Sequence, residues 1–391
     1  MGREVTVDRV IHSVRLAEEA HGRGADGWVA FDAGRVVETG AGDGWRDLAP
    51  RAAFDGAGLL LAPGFVDIHG HGGARVAFDD GPAAVAAARA LHRSHGTTRA
   101  VLSLVTATIP ALAARAAMVA DLAETDATIL GSHLEGPFLD PGHKGAHTAS
   151  LLRAPTAEDI DLLLAAGRGT IRQVTVAPEL DGGLDAVRRF VDAGVAVAVG
   201  HTGADFETAQ RAFDAGATIL THAFNGMDGI HHRAPGPVAA ALADDRVTLE
   251  LIADGIHVHP AVMRLAFASA RTADGRGRIA LITDAMAAAG AGDGRYDLGG
   301  LAVDVVDGVA RLEGGGSIAG STLTQDAAVR RAVQEVGVPV IDAVEAATRV
   351  PARAVGRGHD LGSLHPGFLA DAVLLDDEVA VRAVWVAGDP A

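Results

Sequence analysis

The sequence predicts an α/β fold: a TIM-like (β/α)8 barrel with a small β-sandwich domain that the two ends of the chain build together. Three observations carry this prediction. Strand-like apolar runs punctuate the middle of the chain at 65–69, 100–106, 129–135, 173–178, 195–201, 218–222, 248–254 and 279–284, with helical stretches between several of them. Both ends consist instead of short strand-like pieces divided by glycine-rich turns. Several of the middle runs close on a histidine or a carboxylate, which is costly to bury unless paired or ligated.

At the N-terminus the strand-like pieces are VTVDRVIHSVRL, GWVAFDAGRVVETG and AAFDGAGLLLAPG. The last segment, HDLGSLHPGFLADAVLLDDEVAVRAVWVAG, has the same character. Residues 1–60 and 351–391 are therefore assigned to the two parts of the β-sandwich, and 61–350 to the barrel. Within the barrel, GPAAVAAARALHRSH and GLDAVRRFVDAG read as helices. The longest apolar runs, AAVAAARAL and ALAARAAMVADLA, are alanine-rich and broken by charge, as suits barrel-wall helices rather than membrane spans. A doubly wound open sheet is the structural competitor. It would place its site at a reversal of strand order and has no need of ligands from so many strand ends.

Composition narrows the chemistry. A chain of 391 residues, 49% of them hydrophobic, can build a large core. There is no cysteine, so disulfides, thiolate metal sites and cysteine nucleophiles are excluded and any transition metal must be held by nitrogen and oxygen. The formal charge of -17 argues against nucleic-acid binding, which needs a basic footprint, but allows a small anion held by a few local cations. The opening MGREVTVDRVIHSVRLAEEA lacks the apolar core of a signal peptide. A cytoplasmic protein with no membrane partner is expected.

The strongest local signal is PGFVDIHGHGG. His69 and His71 lie two apart, so an extended backbone projects both from one face toward a shared metal, and Asp67 has the same parity. Alone, the pair is equally compatible with a strand leaving the core through a glycine turn. Glu135 closes the GSHLE of GSHLEGPF, His201 ends VAVAVGH, His222 follows ATILT, and Asp284 ends RIALITD. On a barrel these C-terminal strand ends converge on one mouth. Glu135, His201 and His222 then offer a carboxylate and two imidazoles with room for water, a sensible catalytic metal shell, and His69 with His71 could supply part of a second site bridged by Glu135. Asp284 is placed as general acid and base, with direct ligation as the alternative. His133 shares the parity of Glu135 but reads as a supporting or core residue, and His231, His232, His359 and His365 as surface groups.

Taken together, the ordered series PGFVDIHGHG, HLEGPFLDPGHKGAH, GHTGAD, THAFNGM, ADGIHVHP, LITDAM and GSIAGSTLT resembles the N-acetylglucosamine-6-phosphate deacetylases of the amidohydrolase superfamily. The likeness runs through nearly the whole chain and ends in GSLHPGFLADAVLLD, typical of the superfamily's returning β domain. It implies that Glu135, His201 and His222 are the main metal ligands and that Asp284 is the catalytic aspartate. Ala146, His147, Asn225 and Gly226 would meet the substrate, Arg233 and His257 would engage the sugar phosphate, and Ile318, Ala319, Gly320 and Ser321 would complete the binding region. It further implies a homodimer whose phosphate pocket draws on the neighbouring subunit. Some members of the family have lost the HxH pair and work with one metal. This sequence keeps both histidines and resembles the members that can bind two, with Zn²⁺ first among candidates and Fe²⁺, Mn²⁺ or Co²⁺ admissible. Gly226 stands where the family frequently carries alanine.

Each residue also has a plainer reading: Asn225 as a turn former, Met227 as packing, His147 as a loop cap, and Arg233 in GIHHRAPGP as a solvated loop arginine. The reaction implied is hydrolysis of the acetamide of N-acetyl-D-glucosamine 6-phosphate to D-glucosamine 6-phosphate and acetate. Ring-amide hydrolysis or nucleobase deamination is the alternative within the superfamily, and a noncatalytic metabolite sensor the alternative outside it.

Overall fold

The computed structural model describes residues 6–17, 26–314 and 316–391. Parts of the opening stretch read as free of a signal peptide lie outside the described residues. The first five strands are Arg9–Leu16 (β1), Gly27–Asp32 (β2), Arg35–Ala41 (β3), Ala52–Asp55 (β4) and Leu60–Pro63 (β5).

The barrel strands follow. Phe65–Asp67 (β6) comes first, and a short hairpin of Gly72–Gly73 (β7) and Val76–Ala77 (β8) separates it from Thr97–Val105 (β9). Next come Ile129–Glu135 (β10), Ile171–Val176 (β11), Ala196–Val199 (β12), Ile219–Leu220 (β13), Thr248–Ile252 (β14) and Ile279–Ile282 (β15). These eight strands pair in parallel with their sequence neighbours in a single order from β6 to β15, which rules out the doubly wound competitor. Every predicted run overlaps one of them, although β9 and β11 begin earlier than predicted, at Thr97 and Ile171. The ring is nearly closed: just beyond β6 and β15, Asp284 N donates to His69 O at 2.8 Å and His71 N to Ala285 O at 2.7 Å. The strands read as continuous apolar runs because both faces are covered, one by the barrel interior and one by helices. All nine residues of β9 are buried.

Helices Pro82–Ser94 (α1), Ile109–Thr125 (α2), Ala157–Gly167 (α3), Gly183–Asp192 (α4), Phe206–Asp214 (α5), Gly236–Leu242 (α6) and Pro260–Ser269 (α7) alternate with the strands. Their starts are written locally. Thr156 Oγ1 accepts from Asp159 N at the head of α3, and Asp205 Oδ1 from Thr208 N at the head of α5. α4 buries Ala186, Val187 and Phe190 on one stripe and exposes Asp185, Arg188, Arg189 and Asp192 on the other.

After β15 the chain makes an antiparallel three-stranded sheet, Gly294–Leu298 (β16), Leu301–Val306 (β17) and Val309–Leu312 (β18), that the sequence reading did not separate from the barrel. Its apolar face (Tyr296, Leu298, Val303 and Val305) packs with Met286, Ala319 and Val105 beside the barrel mouth. The eighth helix, Gln325–Arg331 (α8), follows.

The chain then returns through Ala372–Leu375 (β19), Val381–Val386 (β20) and Asp389–Pro390 (β21). As expected, both termini build one small β domain: a mixed sheet ordered β21-β20-β19-β5-β1-β2-β3, with β4 also on β1. β1 changes partners along its length, from β2 and β4 at its start to β5 at Arg15 and Leu16. The two halves share a core that includes Ile11, Val29, Phe31, Leu61, Leu374 and Trp385.

Candidate metal centre and active site

Five barrel strands carry a polar side chain two residues past their last strand residue: His69 after β6, His201 after β12, His222 after β13, Asp254 after β14 and Asp284 after β15; of these, Asp254 pairs with His257 and the other four turn to a common cluster. Glu135 is the last residue of β10. The backbone at His201 (φ 48°), His222 (φ 24°) and Asp284 (φ 46°) is in the left-handed region. For residues with a Cβ this costs about 1–3 kcal/mol each and persists only where the surroundings over-determine it. Backbone hydrogen bonds do so here: Asp140 N to His201 O at 2.9 Å, Asn225 N to His222 O at 3.0 Å, and Ser321 N to Asp284 O at 2.7 Å. At φ +58° a Cβ on Gly226 would lie 2.8 Å from His201 Nδ1, so the glycine lets this loop press against that imidazole.

The carboxylate of Glu135 is the hub. Its Oε1 lies 3.2 Å from His69 Nε2, 3.3 Å from His201 Nε2 and 3.2 Å from His222 Nε2. Its Oε2 lies 3.1 Å from His71 Nε2 and 3.5 Å from His147 Nε2. Asp284 Oδ1 closes the group, 3.2 Å from His71 Nε2 and 3.6 Å from His69 Nε2. All of these side chains are buried.

The tautomers of two imidazoles follow from their outer partners. His201 Nδ1 donates to His143 O at 2.8 Å and His222 Nδ1 to Asn225 O at 3.1 Å, because a carbonyl can only accept. Their Nε2 atoms therefore present lone pairs inward, only 3.0 Å apart. Two facing lone pairs repel unless a cation lies between or beside them. His69 Nε2 is buried without a hydrogen-bond partner. His69, His71 and Asp284 form one group whose ligand atoms lie within 4.8 Å of one another, and Glu135, His147 and His201 another. This nitrogen and oxygen donor set fits a divalent metal.

Electrostatics agree. Burial opposes charge on every member, yet the positive charge of His69 holds Glu135 well below the usual carboxylate range. Burial is likewise outweighed at Asp284, which the His71 hydrogen bond and the charges of His69 and His71 bring down to about 2. In return Glu135 and Glu250 hold His69 well above the usual imidazole value against burial, and Asp284 and Glu135 raise His71 to about 9. Two carboxylates in a dry site thus recruit protonated imidazoles as counter-charge, the part a divalent cation can take. His147 goes the other way: burial lowers it to about 4, so it stays neutral, with Nδ1 2.8 Å from Thr106 Oγ1.

The cluster forms the floor of a cavity of about 570 Å³. Of the substrate residues expected from sequence, Ala146, His147, Asn225, Gly226, His257, Ile318 and Gly320 line it. Ala319 and Ser321 are buried behind that wall; Ser321 Oγ donates to Thr283 O at 2.5 Å. Arg233 is not among the lining residues. It sits in the exposed stretch 228–234, its Nη1 2.8 Å from His232 Nε2. His257 is raised above its usual value because Asp254, whose Oδ2 lies 2.6 Å from its Nδ1, outweighs burial. Asp67, despite its parity, does not join the cluster: it accepts from Thr283 Oγ1 at 2.6 Å and fastens β6 to the end of β15, and burial raises it to about 6. His133 is a supporting residue between Ser103 Oγ at 2.9 Å and Thr175 Oγ1 at 2.8 Å. Met227 lines the cavity as well as packing.

Sequence reasoning missed His143 and Lys144, both on the cavity wall, and Glu250 and Gln173, which lie beneath the cluster. The GHKGAH loop holds the first two, and its density of cations was the available signal.

A parallel barrel that delivers imidazoles and carboxylates from successive strand ends to a shared hub defines the scaffold of a metal-centred hydrolase. The chain belongs to the amidohydrolase family, whose model matches residues 60–391. It is 44% identical, over 84% of its length and 87% of the relative's, to the N-acetylgalactosamine-6-phosphate deacetylase of Escherichia coli O157:H7. It is 36% identical, over 90% of its length and 87% of the relative's, to the N-acetylglucosamine-6-phosphate deacetylase of Vibrio furnissii. A solved structure of a mutant N-acetyl-D-glucosamine-6-phosphate deacetylase from Mycobacterium smegmatis, in complex with N-acetyl-D-glucosamine-6-phosphate, is 42% identical and covers 98% of both chains with a TM-score of 0.89.

Proposed function

We propose that the protein hydrolyses the acetamide of N-acetyl-D-glucosamine 6-phosphate, giving D-glucosamine 6-phosphate and acetate. The observation that carries this reading is the Glu135-centred cluster with Asp284 at the floor of a cavity of about 570 Å³, a size suited to a sugar phosphate. A divalent metal held by Glu135, His201 and His222, with His69, His71 and Asp284 within reach of a second, would supply Lewis-acid polarisation of the acetyl carbonyl and activation of water. Asp284 is anionic and hydrogen-bonded to His71, so its carboxylate can take the proton of the attacking water and pass it to the departing nitrogen as the carbon–nitrogen bond breaks. His147 stays neutral and can hydrogen-bond the substrate without adding charge.

His257, whose pKa is pushed up by Asp254 against burial, and Lys144 line the cavity and suit the sugar phosphate. Arg233, exposed and outside the cavity, is assigned to the phosphate of a neighbouring subunit in a homodimer. Zn²⁺ heads the candidate metals, ahead of Fe²⁺, Mn²⁺ and Co²⁺. A cytoplasmic location is part of this proposal. Among the described residues no helix is long and apolar enough to cross a membrane. A second reading, the galactosamine epimer as preferred substrate, is favoured by the 44% identity to the Escherichia coli relative.

Acetate release from the two phosphorylated epimers and from unphosphorylated N-acetylglucosamine, compared by kcat/KM, tests the assignment. Preference for the glucosamine phosphate is expected. Preference for the galactosamine phosphate would transfer the assignment to the second reading, and equal use of the free sugar would refute phosphate recognition.

A further inference from the structure

Glu250 is a fully buried carboxylate in the middle of β14, flanked by the buried Leu249 and Leu251, and the chemistry above makes no use of it. A charge at such a place is costly unless its surroundings are built to receive it. Three donors do so. Glu250 Oε2 lies 3.0 Å from His69 Nδ1 and accepts from the backbone N of His222 at 3.3 Å, while Oε1 accepts from Gln173 Nε2 at 2.7 Å. Gln173 belongs to β11, so the network crosses the barrel interior beneath the metal ligands.

The consequence falls on His69. With Nδ1–H directed at Glu250, its Nε2 is turned toward Glu135 and Asp284, where it is buried without a hydrogen-bond partner. The outer nitrogens of His201 and His222 bond to neutral carbonyls, and the buried Nδ1 of His71 bonds to nothing among the described residues. Among these four imidazoles, His69 is the one whose outer nitrogen faces a carboxylate. A carboxylate behind an imidazole fixes the tautomer, locks the ring and makes the inner nitrogen a stronger donor.

The geometry points to Glu250 as the positioning residue of the second metal site. It orients and strengthens His69 as a ligand and so sets the occupancy of the site built on His69, His71 and Asp284, while the site of Glu135, His201 and His222 retains its metal without the charge. This rests on reading the cluster as a metal centre, not on which substrate is used. Glu250→Gln isolates the charge cleanly. The new amide oxygen can still accept from His69, and Gln173, whose Oε1 is unpartnered, can flip its own amide to meet the new NH₂. Glu250→Leu removes the acceptor altogether.

The experiment is titration of metal-depleted protein with Zn²⁺ against a competing chelator, read as ions per chain and two affinities, without reference to turnover. The parent is expected to bind two ions per chain. Glu250→Gln should weaken only the second ion by roughly 10-fold, and Glu250→Leu by roughly 100-fold, the range seen when such outer partners are lost. His69→Ala should abolish the second ion, and adding Glu250→Gln to it should change nothing further.

A parent that takes only one ion, an unchanged second affinity in Glu250→Gln, or equal weakening of both ions in a folded Glu250→Gln variant would each overturn the proposal. Should Glu250→Leu fail to fold, the Gln variant decides alone, supported by ¹⁵N imidazole spectra. These should show His69 protonated at Nδ1 in the zinc-loaded parent and weakly held there in the variant. A protein that binds two ions as described but releases no acetate would refute the functional reading and support this one.

Discussion

Asp284 sits where two demands meet. Its left-handed backbone points the carboxylate into the cluster, and His71 and His69 keep it ionised in a buried place. Replacing Asp284 with Asn preserves shape and removes both the charge and the capacity to carry a proton. Turnover is expected to fall roughly 10²–10⁴-fold with the fold and the Glu135 site's metal retained. Kinetics paired with metal analysis checks this, and near-parental turnover would remove Asp284 from the chemistry. At this scale the sequence was legible where a polar residue terminates an apolar run, because such a residue lands at a strand's C-terminal end, and His69, Glu135, His201, His222 and Asp284 all meet at one hub. Glu250 and Gln173 were not legible. They lie inside strands, and only the closure of the barrel brings Glu250 against His69 and Gln173 against Glu250.

Strands and loops explain why that hub forms. The shared offset of two residues beyond β6, β12, β13 and β15 means that side chains far apart in sequence leave their strands at similar heights and turn inward. The eight predicted runs each overlap a barrel strand because parallel strands covered on both faces are apolar nearly throughout. The sheet of β16 to β18 escaped because its three short strands, divided by tight glycine turns, lie where the barrel rhythm predicts only a connection to the last helix.

The link between the barrel and the small β domain was also invisible in one dimension. Arg99 of β9 makes a buried two-pronged ion pair with Asp371, at 2.6 and 2.9 Å, and Asp371 also accepts from Ala387 N at 2.8 Å. Truncating Arg99 to Ala strands the carboxylate, and a loss of about 3–5 kcal/mol is expected on chemical denaturation. A loss below 1 kcal/mol would show that water reaches Asp371. Arg99→Met combined with Asp371→Leu should recover much of the deficit.

For the whole molecule, the unbalanced charge of the metal cluster should be visible in stability. His71, raised to about 9, and His69, raised in the same direction, contribute stability that is full below their ordinary value near 6.5 and is lost as pH rises through about 9. For His71 alone the span corresponds to on the order of 3 kcal/mol. Metal-depleted protein should therefore melt at lower temperature at pH 9 than at pH 6.5. Metal-loaded protein should not, because ligation uses neutral imidazole and strengthens as protons leave. Parallel melting curves in the two states would contradict the counter-charge account.

Beyond stability, the central claim is that one barrel mouth holds a metal on which hydrolysis of a phosphorylated N-acetyl amino sugar depends. The most direct test is acetate release from N-acetyl-D-glucosamine 6-phosphate by the same preparation as purified, after chelation, and after stepwise return of Zn²⁺, with metal per chain measured at each step. Turnover should vanish on depletion and return in proportion to the first ion bound. Undiminished acetate release from protein with no bound metal would contradict the account.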